Sequence, residues 1–221
     1  LRLSGTIPSS TELIADPLGT GSSVWYLYAD LTVGSGATLT IGNNVVVKAT
    51  TNVEIWVNDG ATLLVNATEG NEAVFTSFLD DTAGGDSNGD GVLSAPGPGN
   101  WGSIYAQTGS NIDISNASIR YPFHGIQAPG NREPEFFNLN NVDIFAYGGT
   151  GIILDINASA LFTMHNVDIS GGGASNDGVY LHSDGNAVMT LDFDNITITD
   201  AGNNANQDRG IEMTAVSAAS I

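Results

Sequence analysis

The sequence has no cysteine and almost no lysine or arginine. Its 221 residues include five Lys plus Arg against 24 Asp plus Glu, which gives a formal net charge of -19 at pH 7. Without cysteine the chain has no disulfide bonds, thiolate metal sites or thiol nucleophiles. The lack of basic side chains argues against nucleic acid as a partner, because neutralising phosphates takes clustered Lys and Arg. The acidic surface is therefore either solvated or neutralised by bound cations.

Long apolar runs are also missing. The longest, such as residues 45–47 and 151–154, are far too short to cross a bilayer, and no signal-peptide pattern opens the sequence. We therefore expect no membrane insertion. The hydrophobic content of 41% is sufficient for a buried core. Residues 215–221 end in the middle of the sequence pattern, which leads us to expect a fragment of a longer protein.

Helical periodicity is nearly absent, and short alternating apolar runs are interrupted every few residues by glycine or asparagine. Two repeated motifs run in step with a period near 25. The motif Asn-x-x-Ile begins at Asn116, Asn141, Asn166 and Asn195. A glycine followed by Ile or Val recurs at Gly125, Gly151, Gly178 and Gly210. Such a period is typical of a solenoid, in which each repeat stacks on the next.

The asparagine of the first motif predicts a bend. Apolar residues lie two and four positions before it and one and three positions after it, so the alternation of faces slips at the asparagine itself. Asparagine tolerates left-handed backbone angles, and its amide can bond an equivalent asparagine in the next coil. We predict an all-β, right-handed parallel β-helix with three short strands per coil and 24–29 residues per coil. It forms one domain over residues 1–221, with an irregular entry segment at 1–24 and an Asp/Gly-rich loop at 79–100.

Residues 25–105 resemble a known family. The resemblance is carried by residues 30–48 (DLTVGSGATLTIGNNVVVK), 74–77 (VFTS), the pair Asp80-Asp81, residues 84–91 (GGDSNGDG) and the pair Trp101-Gly102. This pattern is similar to that of the secreted right-handed parallel β-helix proteins of bacteria and archaea, the pectate-lyase-like superfold, many of which are cell-surface or adhesin-like chains. Residues 42–44 (GNN) replace the Pro-Gly turn usual in that family. The resemblance implies an extracellular or cell-surface location, but no single activity.

The loop at 79–100 predicts a calcium site. In Asp86-Ser-Asn88-Gly-Asp90-Gly91, oxygen ligands alternate along the chain and end in a glycine, as in the first half of a calcium loop. Position twelve would be Gly97 rather than Glu, so the loop is not an EF-hand. We expect the ligands to be Asp80, Asp81, Asp86, Asn88, Asp90 and the carbonyl of Val92, with calcium in a structural role. A solvated Asn/Gly-rich loop is the alternative.

A second candidate surface follows the Gly-Ile motif. The strands after it present Asp155, Tyr180, His182 and Glu212 outward, a polar face that could bind or hydrolyse a polysaccharide. An ordinary polar outer sheet is the alternative. The histidines are not spaced as His-x-x-x-His, so the spacing predicts no histidine zinc site.

The basic residues do not match those of the family's enzymes. Pectate-lyase-like enzymes need a base beside carboxylate-bound calcium, and polygalacturonase-like enzymes need an Asp trio with a His and an Arg-x-Lys. The only lysine, Lys48, ends a valine run, and Arg120, Arg132 and Arg209 have no lysine partner. Neither catalytic set is present in the sequence.

Two surface features complete the expectations. Asp143 and Asp168 occupy equivalent outward positions, so we expect them to be like-charged neighbours on adjacent coils. Of the Asn-x-Ser/Thr sequons, Asn66 and Asn157 lie in expected turns and are the possible glycosylation sites, since the others are bend asparagines.

The sequence favours a non-enzymatic structural or adhesive segment of a secreted surface protein, stabilised by calcium. One alternative is a protein that binds or degrades polysaccharide through the Tyr180/His182 face. Another is an extracellular filament subunit that associates end to end, because an open coil edge invites strand pairing. Calcium and a carbohydrate or other cell-surface polymer are the partners to expect.

Overall fold

A computed structural model of the chain describes residues 1–16, 24–130, 132–172, 177–185, 187–201 and 209–216. This part of the chain has no helix, and its seventeen strands wind as one parallel sheet into a β-solenoid of about seven turns, which confirms the predicted all-β solenoid. The strands are β1 (Arg2–Ile7), β2 (Thr11–Leu13), β3 (Val24–Val33), β4 (Thr38–Ile41), β5 (Val46–Ala49), β6 (Ile55–Val57), β7 (Thr62–Asn66), β8 (Ala73–Ser77), β9 (Ile104–Ala106), β10 (Asn111–Arg120), β11 (Ile126–Ala128), β12 (Phe136–Phe145), β13 (Ile152–Ile156), β14 (Ala160–Ser170), β15 (Val179–Asp184), β16 (Met189–Thr199) and β17 (Ile211–Val216).

Each turn of the solenoid contributes one strand segment to each of three faces. Face A contains β6, β9, β11, β13, β15 and β17, together with the second halves of β1 and β3. Face B contains β2, β4, β7 and the first halves of β10, β12, β14 and β16. Face C contains β5, β8, the first halves of β1 and β3, and the second halves of β10, β12, β14 and β16. The chain therefore runs through faces A, B and C in order before starting the next turn.

The core consists of ladders of identical or similar apolar side chains. On face A, Ile104, Ile126 and Ile152 pair in register, and all three are fully buried. On face B, the rings of Phe137 and Phe162 stack edge to face with centroids 5.6 Å apart. Each such side chain contributes about 1.5 to 3 kcal/mol through burial, so the ladders stabilise the turns without disulfides.

The asparagine bends behave as predicted. Asn116, Asn141, Asn166 and Asn195 have φ angles of 55°, 55°, 52° and 54°, in the left-handed region. Nδ2 of Asn141 donates to Oδ1 of Asn116 at 2.6 Å, across 25 residues of sequence, and Nδ2 of Asn195 donates to Oδ1 of Asn166 at 2.8 Å, across 29. Each asparagine thus forms the corner between faces B and C, and its amide links one turn to a neighbouring turn.

The repeated glycines mark a close approach between turns rather than a flexible joint. A Cβ atom on Gly151 would lie 2.5 Å from the carbonyl oxygen of Gly178 and 2.7 Å from Cγ2 of Ile169. Gly125 and Gly178 face equivalent contacts, at 2.4 Å and 2.7 Å from a neighbouring carbonyl oxygen. No side chain fits at these distances, which explains why glycine recurs at the start of face A.

The start of the chain is more regular than the irregular entry segment expected for residues 1–24. Strand β1 pairs with β3 on two faces, and β2 pairs with β4, so both belong to the first turn. Gly5, with φ of 79°, lies at the register shift between the two halves of β1. The first turn lacks the asparagine motif, so the repeat could not be recognised there from the sequence. Residues 17–23 lie outside the described part of the chain.

The long loop leaves the solenoid between face C and face A. It connects β8 to β9, and β9 pairs directly with β6, so the ladder on face A continues past the loop without a gap. Within the described residues no helix could cross a membrane.

Candidate metal centre in the long loop

The only lysine in the chain anchors the long loop. Lys48 lies on β5 and is fully buried, and its Nζ donates at 2.6 Å to the carbonyl oxygen of Gly85 and at 2.6 Å to Oγ of Ser87. Burial lowers the pKa of Lys48, while Asp80, Asp81 and Asp86 counteract that shift. A buried ammonium group is tolerated here because these hydrogen bonds and negative charges replace its hydration.

Asp80, one of the expected calcium ligands, is an internal acceptor of hydrogen bonds. Its side chain is fully buried, and Oδ2 accepts the hydroxyl of Thr76 at 2.7 Å. Oδ1 accepts the backbone N–H of Thr82 at 3.0 Å and its hydroxyl at 2.5 Å. Nη1 of Arg120 lies 4.0 Å from Oδ2. These contacts hold the first turn of the loop against face C.

Three other carboxylates converge. Asp81, Asp86 and Asp90 each place one carboxylate oxygen within 4.8 Å of the other two. That separation suits a calcium ion, since two ligands at 2.3 to 2.6 Å from one ion are at most about 5 Å apart. Oδ1 of Asp81 and Oδ1 of Asp90 are buried, and neither has a hydrogen-bond partner in the described structure.

The backbone of the loop orients Asp86. Its Oδ1 accepts the N–H of Gly89 at 2.7 Å, and its Oδ2 accepts the N–H of Gly91 at 2.9 Å. Both glycines have φ of 74°, which lets the chain fold back over the carboxylate. The bond from Gly91 is the main reason that the pKa of Asp86 is lowered. The carboxylate is thus kept in its charged, metal-binding form.

Asn88 and Val92, the remaining expected ligands, lie beside this cluster. Nδ2 of Asn88 donates to Oδ2 of Asp90 at 2.9 Å and to Oγ of Ser94 at 2.6 Å, so its amide positions Asp90. The side chain of Val92 is 93% exposed, as befits a residue whose carbonyl was its expected contribution. The structure thus divides the predicted ligands into three converging carboxylates and the groups that surround them.

Face A brings together the residues of the expected carbohydrate surface. Asp155 pairs with His182, and Tyr180 pairs with Glu212, as the repeat predicted. The rings of Tyr180 and His182 are nearly parallel, with an angle of 11° and centroids 6.1 Å apart. Burial raises the pKa of Tyr180, and the surrounding carboxylates, Asp155 first among them, raise it further.

A second aromatic pair on face A was missed by the sequence reasoning. Trp56 and Tyr105 stack with ring centroids 4.1 Å apart at an angle of 21°. The guanidinium of Arg132 lies 5.4 Å from the Tyr105 ring centroid, and its Nε donates to Oε1 of Gln107 at 2.9 Å. Gln107 also lines a shallow, open depression of about 450 Å³, together with Ser35, Asn58, Asp59 and Thr108. The signal lay in the equivalent segments 55–57 and 104–106, where an aromatic residue stands between two buried ones.

The Asp143/Asp168 pair lies where the repeat placed it, and Asn157 lies in a bend as expected, but Asn66 is the last residue of strand β7 rather than part of a turn. Asp143 and Asp168 pair in register at exposed positions, and the pKa of Asp143 is raised by partial desolvation of its carboxylate and then by the charge of Asp168. Asn66 and Asn157 are both exposed. The backbone N–H of Asn157 donates to Oε1 of Glu133 at 2.6 Å.

No protein-family model, curated protein or solved structure matches the chain. Its function therefore has to be inferred from its own side chains.

Proposed function

We propose that the chain is a non-enzymatic, structural or adhesive segment of a secreted cell-surface protein, in which calcium holds the long loop against a stiff solenoid. The observation that carries this proposal is the convergence of Asp81, Asp86 and Asp90, two of whose oxygens are buried without a hydrogen-bond partner in the described structure. Buried carboxylate oxygens without partners are costly, and a bound cation would satisfy them.

Calcium is the cation that this chemistry favours. All three groups are carboxylates, and calcium takes six to eight oxygen ligands in flexible geometry, with water or main-chain carbonyls completing the shell. The Lys48 ammonium donates its hydrogen bonds to Gly85 and Ser87 and not to the three carboxylates, whose oxygens could therefore bind the ion. Calcium sites in extracellular modules are weak, with dissociation constants of about 0.1 to 1 mM, which agrees with the proposed location outside the cell.

A structural role agrees with the position of the site. The loop lies outside the ladder, because β6 pairs directly with β9. An ion bound there would order the loop and protect it from proteolysis, while the solenoid turns are held by their own ladders. The right-handed sense of the solenoid and its relationship to the pectate-lyase-like superfold are part of the same proposal.

The test is a comparison of melting temperatures with calcium and with a chelator. At free calcium near 100 times its dissociation constant, binding stabilises the folded state by about 2.7 kcal/mol. For a chain of this length that raises Tm by about 5 to 11 °C. Asp81→Asn keeps the shape of the side chain and should abolish most of the shift. Glu69→Gln makes the same charge change at an exposed position elsewhere and should retain it.

Calcium-independent melting of the unmodified protein would contradict the calcium part of the proposal. An equal loss of the shift in Asp81→Asn and Glu69→Gln would mean that only net charge matters. Limited proteolysis gives a local readout, because cleavage within residues 79–100 should slow when calcium is added.

Carbohydrate binding is a second candidate, favoured by the stack of Trp56 on Tyr105 and by the polar depression that Gln107 lines. Tyr105 covers one side of the indole, and the register places the much smaller Thr32 on the other side. An aromatic face beside amide and carboxylate groups is the usual composition of a site for a small polar ligand.

This candidate is tested by measuring binding to a panel of neutral and acidic polysaccharides. Trp56→Ala should abolish binding if the aromatic stack is the contact surface. Tyr180→Ala should abolish it if the Tyr180/His182 face is used instead. Binding that survives both substitutions, or no binding to any polysaccharide, would reject a carbohydrate site on face A.

A further inference from the structure

A second group of metal-ligand side chains lies on face A, in later turns of the solenoid than the calcium loop. Asp155 on β13 pairs in register with His182 on β15, and Asp184 follows two residues later on the same side of the strand. One ligand atom from each of the three lies within 4.8 Å of the other two. The cluster is thus assembled from two adjacent turns.

The His182 ring is held in place before any ion binds. It lies nearly parallel to the ring of Tyr180, at an angle of 11°. Its Nε2 is 3.1 Å from Oδ1 of Asp184, and its side chain is only 16% exposed. Nδ1 is buried and has no hydrogen-bond partner among the described residues. Nε2 is thus the nitrogen turned toward Asp184, and an ion held by Nε2 and the carboxylates would take the place of this contact.

Asp155 is also oriented by the fold. Its Oδ2 accepts the backbone N–H of Gly130 at 2.9 Å, which fixes the direction of the carboxylate. The surroundings are negative. Burial is the main cause of the raised pKa of Tyr180, and the charges of four nearby carboxylates raise it further: Asp155, Glu212, Asp184 and Asp177. Two arginines lie nearby, and both have other partners: Arg209 is paired with Glu212 at 2.7 Å, and Arg132 donates to the carbonyl oxygen of Pro129 and to Gln107. A dication would therefore be attracted to the cluster.

The donor set separates this cluster from the calcium loop. Imidazole is a ligand for zinc, copper, nickel and iron, whereas calcium prefers oxygen alone. The histidine spacing in the sequence predicted no zinc site, because that rule looks for both ligands on one segment. In a solenoid the ligands can come from neighbouring turns, 27 residues apart in the case of Asp155 and His182.

We propose that Asp155, His182 and Asp184 bind a divalent transition metal, with zinc as the ion to test first. Metal-stripped protein is titrated with Zn²⁺ by calorimetry in the presence of excess calcium, which occupies the loop site. We expect one equivalent of Zn²⁺ to bind. His182→Ala and Asp155→Asn should each weaken that binding by at least about tenfold, the lower limit for losing a group of a metal site.

His165→Ala is the matched control. His165 also lies near a carboxylate, with Nε2 3.3 Å from Oδ1 of Asp192, but that pair is far more exposed, at 39% and 63%. Zinc affinity should not change in His165→Ala, nor in Asp81→Asn of the calcium loop. Equal weakening in His165→Ala and His182→Ala would show adventitious binding to surface histidines and would overturn the proposal.

A direct readout keeps the test decisive if a substitution disturbs folding. In the unmodified protein, the imidazole ¹⁵N resonances of His182 should shift on addition of one equivalent of Zn²⁺, while those of His165 stay in place. Absence of zinc binding, or a shift confined to the other histidines, would refute the site. Circular dichroism of each variant in metal-free buffer shows whether its fold is intact.

Discussion

Asn141 allows the free energy of a solenoid corner to be measured. Its φ of 55° is left-handed, and its Nδ2 donates to Oδ1 of Asn116 at 2.6 Å on the exposed surface. Asn141→Gly keeps the backbone conformation and loses the hydrogen bond, and we expect a loss of about 1 kcal/mol in the free energy of unfolding. Asn141→Ala also forces an ordinary residue into the left-handed region, which costs about 1 to 2 kcal/mol, partly offset by the lower chain entropy of unfolded alanine. Its total loss should be about 2 kcal/mol.

The assay is guanidinium unfolding followed by circular dichroism, with thermal melting as a second measure. The glycine variant should lower Tm by about 2 to 4 °C and the alanine variant by about 4 to 8 °C. Asn140→Ala, at the exposed preceding residue, is the control and should change stability by no more than about 0.5 kcal/mol. A glycine variant less stable than the alanine variant would refute the left-handed bend as the reason for asparagine. Two variants indistinguishable from Asn140→Ala would show that the asparagine ladder contributes nothing.

Three further predictions concern single positions. Gly151→Ala should cost about 1 to 3 kcal/mol in guanidinium unfolding, because its Cβ would overlap a carbonyl oxygen of a neighbouring turn, whereas Gly97→Ala, with open space around it, should be neutral. Asp143→Asn should raise Tm at pH 7. The sign follows from the raised pKa of Asp143, since its ionised form is disfavoured in the folded state by burial and by Asp168. The gain should vanish near pH 3, where the folded and unfolded forms are both protonated; a gain that persists there would contradict this cause. Lys48→Met should speed proteolysis of the long loop while the circular dichroism spectrum of the solenoid stays unchanged; unaltered cleavage would show that the lysine does not anchor it.

The fold could be predicted because its repeat is written in the sequence several times. Asn116, Asn141, Asn166 and Asn195 each occupy the same corner, so four copies of one motif gave the period, the bend and the three strands per turn. The first turn was not recognised because the segment between β2 and β3, which stands where later turns carry the bend asparagine, contains no asparagine. Regularity that appears once in a sequence cannot be told from chance.

The candidate sites were predictable only where their residues are close in sequence or in the repeat. Asp86 and Asp90 belong to one short motif, so their spacing alone suggested calcium. The buried role of Asp80 depends on hydrogen bonds with Thr76 and Thr82, and an Asp-rich segment gives no sign of which carboxylate faces inward.

The aromatic stack was hidden by the long loop. Trp56 and Tyr105 are direct neighbours on face A, but the insertion separates them by 49 residues, about twice the usual period. The contact between His182 and Asp155 was correctly predicted, because the 27 residues that separate them form one turn without a long insertion. The repeat predicted lateral contacts where turn lengths differ by a few residues, as for Tyr180 and Glu212, but not across an insertion as long as this loop.

The uninterrupted ladder from β6 to β9 has a consequence for protein engineering. The solenoid accommodates the whole segment 79–100 at a single corner, while Ile55 and Ile104 of consecutive turns remain paired on face A. The corner therefore tolerates a long insertion while the neighbouring turns keep their strand pairing, provided that the insertion still supplies acceptors for the buried Lys48 ammonium and covers face C as Asp80 does.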